Sequence, residues 1–264
     1  RLSWRIESDE QNVIQTAYHI LVASSPELLE QGKGDIWDSG KIESDASQWI
    51  TYQGKTLKCN APYYWKVKIE TNKGATNWSA PAFWTTGLFN EADWQGQWIG
   101  LDRAAPGDSE TQWSRLAARY LRKEFAVKKS VKRATVHIAG MGLYELFING
   151  QRIGNQVLAP APTDYRKTIL YNTYDVTSLL QTENAIGVTL GNGRFYTMRQ
   201  NYKPYKIPTF GYPKLRLNLI VEYADGSKET IATNTSWKLT TEGPIRSNNE
   251  YDGEEYDARK ELGA

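Results

Sequence analysis

Tyr144, Leu146 and Ile148 alternate with Glu145, Phe147 and Asn149, and this period of two recurs along the chain. Successive strand side chains point to opposite faces, so such runs demand sheets with one buried face. Tyr63, Trp65, Val67 and Ile69 alternate with Tyr64, Lys66, Lys68 and Glu70. Tyr18, Ile20 and Val22 do the same earlier, and Leu215, Leu217, Leu219, Val221 and Tyr223 do so late in the chain. Asn149-Gly150 supplies the positive φ angles of a tight hairpin turn, and Asp225-Gly226 marks a second hairpin. Helical periodicity is almost absent. The best candidate, Pro26 to Gln31, is one or two turns stopped by Gly32 and Gly34. The pattern predicts an all-β chain.

A length of 264 residues suffices for one large or two medium domains with cores of their own. Lys and Arg number 32 against 30 Asp and Glu, and the basic residues form neither a long stripe nor an amphipathic helix. Nucleic acid and membrane surfaces are therefore not expected partners. The 10 Trp and 16 Tyr suit β-sandwich cores and sugar-binding surfaces alike. Cys59, the one cysteine, excludes an internal disulfide and a multi-cysteine metal site, and is expected to be a small buried or half-buried residue. His19 and His137 sit in separate strand-like runs, which argues against a zinc cluster or a His-dependent triad. No apolar run is long enough to span a bilayer and no signal peptide is present. Arg1-Leu-Ser-Trp-Arg-Ile6 already reads as a strand, so the chain is expected to be trimmed.

The first half carries Tyr-x-Trp-x-Val at Tyr63 to Val67 and Trp78-Ser79 before a last strand. This cadence resembles a fibronectin type III domain, a sandwich of about seven strands whose size suits residues 1–88. Trp65 is then a core anchor. Gly87 to Gly96 breaks the alternation, and residues 89–96 read as a linker, with Trp94 and Trp98 pinning the entry of the second domain against its neighbour. Residues 97–264 are too long for an immunoglobulin sandwich of about 100 residues and fit a jelly roll. Arg103 to Arg115, polar and rich in small residues, reads as a mobile loop.

A longer series of motifs is more specific. Gly142-Leu-Tyr-Glu145, Ile148-Asn-Gly-Gln-Arg-Ile-Gly154, Leu158-Ala-Pro160 and Thr163-Asp-Tyr165 are followed by Tyr171-Asn-Thr-Tyr-Asp-Val-Thr177, Asn184-Ala-Ile-Gly187 and Leu190-Gly-Asn-Gly193. Gly253-Glu-Glu-Tyr-Asp-Ala-Arg259 comes near the end, and Trp37-Asp-Ser-Gly40 lies in the first half. In this order the motifs resemble the non-catalytic N-terminal region of bacterial α-L-rhamnosidases of glycoside hydrolase family 78. The resemblance covers essentially the whole chain. It implies accessory β-domains of an enzyme that removes terminal α-L-rhamnose, with the general acid and base in a following (α/α)6 barrel. No segment here carries the long helices of such a barrel. The implied partner is a downstream catalytic domain of the same polypeptide, together with rhamnose-containing polysaccharide. The parent is expected to be periplasmic or secreted.

Glu250, Asp252, Glu254, Glu255 and Asp257 form an acidic cluster. Inverting hydrolysis needs two carboxylates roughly 6.5–9.5 Å apart across a sugar, and solvation or domain contact explains this cluster more simply, so no catalytic residue is assigned. Asp257 and Arg259 are placed for charge-assisted hydrogen bonds. The alternative function is a rhamnose-binding module, since some relatives' equivalent domains resemble a calcium-assisted one. The candidate substrate-binding residues are Asn149, Asn155, Asp164, Tyr165, Asn192, Arg194 and Tyr196, with Phe195 nearby, because amides and carboxylates beside aromatic faces read sugar hydroxyls. Departures weaken that site. Ala161-Pro162 replaces the Gly-Trp of many relatives, Arg194 replaces a Trp, and Asn155 replaces an Asp that would ligate calcium. No cofactor is therefore assigned and calcium has no specific site. Asn149-Gly150, and Asp175 with Thr177, are read as turn chemistry. A third reading, a fibronectin-like protein-interaction module, explains the first half alone.

Overall fold

The computed structural model describes residues 1–103, 116–196, 210–250 and 253–263. Most of the stretch from Arg103 to Arg115, expected as a loop, lies outside the described residues. Contacts divide the chain into two units, Arg1–Phe89 and Asn90–Ala264.

In the first unit, strands β1 (Gln15–Ala23), β2 (Trp37–Glu43), β3 (Pro62–Thr71), β4 (Gly74–Ala75) and β5 (Ala82–Thr85) form one antiparallel sheet of order β2-β1-β3-β4, with β5 also on β3. The predicted alternation decides its faces. Ile20, Val22, Tyr63, Val67 and Ile69 pack on one side with Leu2, while Leu21 and Ala23 cover Leu29 of helix α1 (Pro26–Glu30) on the other. The helix begins where Ser25 Oγ accepts the Leu28 N–H and ends before Gly32 at φ 71°. Trp65 packs against the core as expected, and Cys59 is half-buried. The opposite layer is less regular than a seven-strand sandwich. Leu2 and Ile50 exchange both backbone hydrogen bonds at 2.9 Å, but Trp49 at φ 59° interrupts any longer ladder. Trp4, Ile6, Tyr52 and Leu57 supply the cover instead.

The second unit begins with a single 3-10 turn at Glu91–Asp93, where Asn90 and Asp93 form a reciprocal capping box. Its strands are β6 (Ile99–Gly100), β7 (Arg119–Ala126), β8 (Val131–Met141), β9 (Leu143–Ile148), β10 (Gln151–Ile153), β11 (Tyr171–Asp175), β12 (Glu183–Gly191), β13 (Lys214–Tyr223), β14 (Lys228–Ala232) and β15 (Lys238–Thr240), then a hairpin of β16 (Ile245–Asn249) and β17 (Gly253–Tyr256). One sheet runs β10-β9-β12-β7-β15; the other runs β11-β8-β13-β14 with β6 on β13. Sequential strands repeatedly change sheet, as in a jelly roll. Leu121, Leu146, Ile148, Ile186, Val188 and Leu190 meet Val136, Ile138, Leu215, Leu217, Leu219 and Val221 in one core. Asn149 at φ 51° and Gly150 at φ 81° close the β9–β10 hairpin, and Thr177 N–H binds Asp175 Oδ1 at 2.9 Å, both as the sequence indicated.

Facing away from that core, β13 presents Arg216 and Asn218. Asn218 is fully buried because the segment after the capping box lies over it. Gly96 N–H donates to Asn218 Oδ1 at 2.8 Å, and Asn218 Nδ2 donates to the Asp93 carbonyl at 3.1 Å. Residues 90–96 are thus bonded to the second unit, with no free span before its first strand. A Cβ on Gly96 would lie 2.5 Å from the Leu217 carbonyl oxygen and 2.7 Å from Thr233 Oγ1. Gly96→Ala is therefore expected to cost about 1–3 kcal/mol through overpacking, seen as a lower urea midpoint at unchanged slope. An unchanged midpoint would show that the segment is not held this closely.

His137 of β8 lies opposite Asn218 and is fully buried, with Nδ1 3.0 Å from Thr173 Oγ1. Burial first, and the Arg133 charge second, pushes its pKa from 6.5 down to about 4. Between those values the unfolded chain binds a proton that the folded chain does not, so stability rises with pH across the window and is lost as pH falls. At 1.36 kcal/mol per pKa unit the full swing is about 3 kcal/mol. Chemical denaturation of wild type and His137→Gln from pH 4 to 7 checks this: the slope in that window is expected to be smaller in the variant by the His137 share, leaving the part due to carboxylates held low in the fold.

Candidate functional site

Register across the second sheet builds a row of three side chains on its outer face. Tyr171 of β11 is opposite Ala139 of β8, which is opposite Arg216 of β13. The middle position carries a methyl group between two long side chains, so a depression forms over it. The segment from Glu91 to Trp98 supplies the rim. Arg216 Nε donates to the Gly96 carbonyl at 2.6 Å, and Nη1 donates to Glu91 Oε1. The Arg216 guanidinium carbon lies 5.1 Å from the Trp94 ring centre and 6.0 Å from that of Trp98, within the range of cation–π attraction. Trp94 in turn meets Tyr171 edge-on at 5.3 Å. These residues, with Ile169, line a cavity of about 270 Å³. The Arg216 side chain is 12% exposed and that of Glu91 82%, so the pair runs from the cavity wall out to solvent.

The first unit has its own cavity of about 350 Å³, lined by Arg1, Leu2, Ser3, Tyr52, Leu57, Trp65 and Trp84. No carboxylate belongs to that lining. His19 Nε2 and Asp38 Oδ1 are 2.6 Å apart on β1 and β2. Asp38 is held below the usual carboxylate range, first by the Gly40 N–H and then by His19, against partial burial.

The residues singled out from sequence fall into separate places. Asn149 is committed to its turn: Nδ2 donates to the Leu179 carbonyl at 3.0 Å and to Asn184 Oδ1 at 2.9 Å, while Oδ1 accepts the Ala185 N–H at 2.8 Å. Asn155 is exposed just after β10. Asp164 is tied to its neighbour, with Arg166 Nε at 2.9 Å from Oδ1, and that pairing holds its carboxyl below the ordinary range.

The other four gather around the turn after β12. Asn192 is buried; its Nδ2 donates to the Asn248 carbonyl at 2.8 Å and the Leu116 carbonyl at 3.2 Å. Arg194 Nε donates to Glu250 Oε2 at 2.8 Å. Tyr165 meets Phe195 and Phe210 edge-on, each at 5.3 Å, and Tyr196 stacks on Tyr212 at 5.8 Å. Tyr165 is pushed up, by burial first and then by the Glu250 charge. Its hydroxyl and Asn192 Oδ1 are buried with no hydrogen-bond partner among the described residues. The Arg194–Glu250 pair and the Asn192–Asn248 bond tie the 192–196 turn to the β16 end.

Of the acidic cluster, Glu250 is the partner of Arg194, Asp252 lies outside the described residues, and Asp257 takes Arg259 Nε and Nη2 at 2.8 Å each. That pairing holds Asp257 down at about 2, where a carboxylate neither donates nor shuttles a proton near neutral pH. Among the described residues no group of three or more His, Cys, Asp or Glu side chains is placed to hold a metal ion.

Sequence reasoning did not bring together Glu91, Trp94, Tyr171 and Arg216, which line this cavity. The alternation of β13 placed Arg216 and Asn218 on one face. Only the pairing register of β8, β11 and β13 puts Ala139 between Tyr171 and Arg216.

Residues 129–264 match the family model described as the alpha-L-rhamnosidase N-terminal domain, and residues 1–90 match the Rha78A-like N-terminal immunoglobulin domain. An alpha-L-rhamnosidase of Formosa agariphila is 38% identical over 99% of this chain and 29% of its own length. One from an Alteromonas species is 35% identical over 99% of this chain and 29% of its own length. The solved alpha-L-rhamnosidase of Dictyoglumus thermophilum superposes with a TM-score of 0.86 at 42% identity, covering 99% of this chain and 29% of that one. The Aspergillus terreus enzyme gives 0.84 at 33% identity, covering 98% and 29%. The chain thus spans under a third of the length of these relatives, and it belongs to the α-L-rhamnosidase N-terminal domain family.

Proposed function

We propose that the two units are the accessory β-region of an α-L-rhamnosidase that hydrolyses terminal α-L-rhamnose elsewhere in its polypeptide. One observation carries the non-catalytic part of this reading. Of the two cavities described above, both among the described residues, one is lined by a single carboxylate, Glu91, already bonded to Arg216, and the other by none. Glycosidic hydrolysis uses a pair of carboxylates flanking the scissile bond. The helical content points the same way: the described residues hold one five-residue helix and three 3-10 turns.

In this reading the first unit acts as a fibronectin-like module and the second as a jelly roll, and both pack beside a catalytic domain of the same chain. Rhamnose-containing polysaccharide is the substrate of the whole enzyme, which acts in the periplasm or outside the cell, where such polymers are met. Among the described residues no helix is long and apolar enough to cross a membrane.

A carbohydrate-binding role is the second reading, favoured by the aromatic and charged lining of the cavity over Ala139. Incubating the purified chain with 4-nitrophenyl α-L-rhamnoside tests the leading one. No release above buffer is expected at any protein concentration. Turnover that scales with the chain and survives further purification would overturn the accessory assignment.

A further inference from the structure

We propose that the cavity over Ala139 is a binding site for one neutral pyranose ring, built by Trp94, Trp98, Tyr171, Arg216 and Glu91. Its size sets the first limit. At about 270 Å³ it falls just under the range of about 300–1,000 Å³ typical of small-molecule sites, room for a single ring and not an oligosaccharide.

Its lining sets the chemistry. Three aromatic side chains border one small space, and the negative π face of such a ring attracts the polarised C–H bonds on one side of a sugar. Beside them stand a donor and an acceptor. Arg216 gives one N–H to Gly96 and one to Glu91, out of five in its planar fork. Glu91 accepts that bond through Oε1. The adjacent N–H and carboxylate groups match two neighbouring hydroxyls, one accepting and one donating, through charge-assisted hydrogen bonds.

Charge selects among sugars. Glu91 already balances Arg216, so the cavity offers no unmatched positive charge to a uronate, and a carboxylated ligand would meet Glu91 directly. A neutral ring meets no such cost.

The site does not depend on catalysis in this chain; only the choice of L-rhamnose as first probe rests on the proposed parent activity. Calorimetry and tryptophan fluorescence with methyl α-L-rhamnoside, methyl α-D-glucoside and D-galacturonate test it. Saturation by at least one neutral glycoside is expected, with a Kd on the order of 1–10 mM, as befits a ligand of this size. Trp98→Ala is expected to abolish the signal. Glu91→Gln, at an exposed position, is expected to weaken binding about tenfold with an unchanged melting temperature. Glucoside binding without rhamnoside binding would uphold the site while removing the reason for that first probe, and the hydrolysis assay judges the parent reading separately. Flat titrations with both neutral glycosides, saturation by galacturonate alone, or unaltered binding in both variants would overturn the proposal.

Discussion

The alternation of strand β13 is the constraint on which the second unit rests. Its inward residues, Leu215, Leu217, Leu219 and Val221, are fully buried and belong to the core shared by the two sheets. Its outward residues do something different. Asn218 takes the Gly96 N–H and returns a bond to Asp93, while Arg216 takes the Gly96 carbonyl. A slip of one residue would exchange the two sets, placing a guanidinium in the core and leucines under the 91–98 segment. The same period of two that closes the sandwich therefore also fixes the cavity rim.

Arg216 has both a structural and an electrostatic part. Stacked against Trp94 and Trp98 and bonded to a backbone carbonyl, it holds the entry segment in place. Its charge is matched by Glu91, whose side chain stays largely in water. The Arg216 side chain is only 12% exposed, so the pair is anchored at its buried end while the carboxylate reaches solvent at the rim. Ala139 completes the arrangement by being small where its strand neighbours are large.

Much of the fold was legible in the sequence because period-two runs and Asn149-Gly150 act locally. The short helix at Pro26 was legible from the run Pro26 to Gln31 and the glycines that stop it, while its Ser25 cap emerged only in the structure. The regularity of the first unit's second layer was not, since the positive φ of Trp49 is a tertiary outcome at a residue that carries no turn signal. For the site, sequence reading chose residues for their hydrogen-bonding groups. Tyr165, Asn192, Arg194 and Tyr196 do gather, but Arg194 is bonded to Glu250, the Asn192 amide nitrogen to the Asn248 carbonyl, and Tyr196 stacks on Tyr212, so much of the cluster holds a turn. Asn149 was rightly seen as turn chemistry and serves there fully. The cavity residues come from four separate segments joined by strand register, which no local pattern encodes.

Whether the proposed cavity over Ala139 takes a sugar is tested most directly by amide and indole chemical shifts of the labelled chain, recorded as methyl α-L-rhamnoside is added. The account predicts shifts confined to Glu91, Trp94, Trp98, Tyr171, Arg216 and their immediate neighbours, with the Trp94 and Trp98 indole N–H signals moving among those of the 10 tryptophans. Shifts centred on Tyr165, Arg194 and Tyr196, or none at saturating sugar, would contradict it.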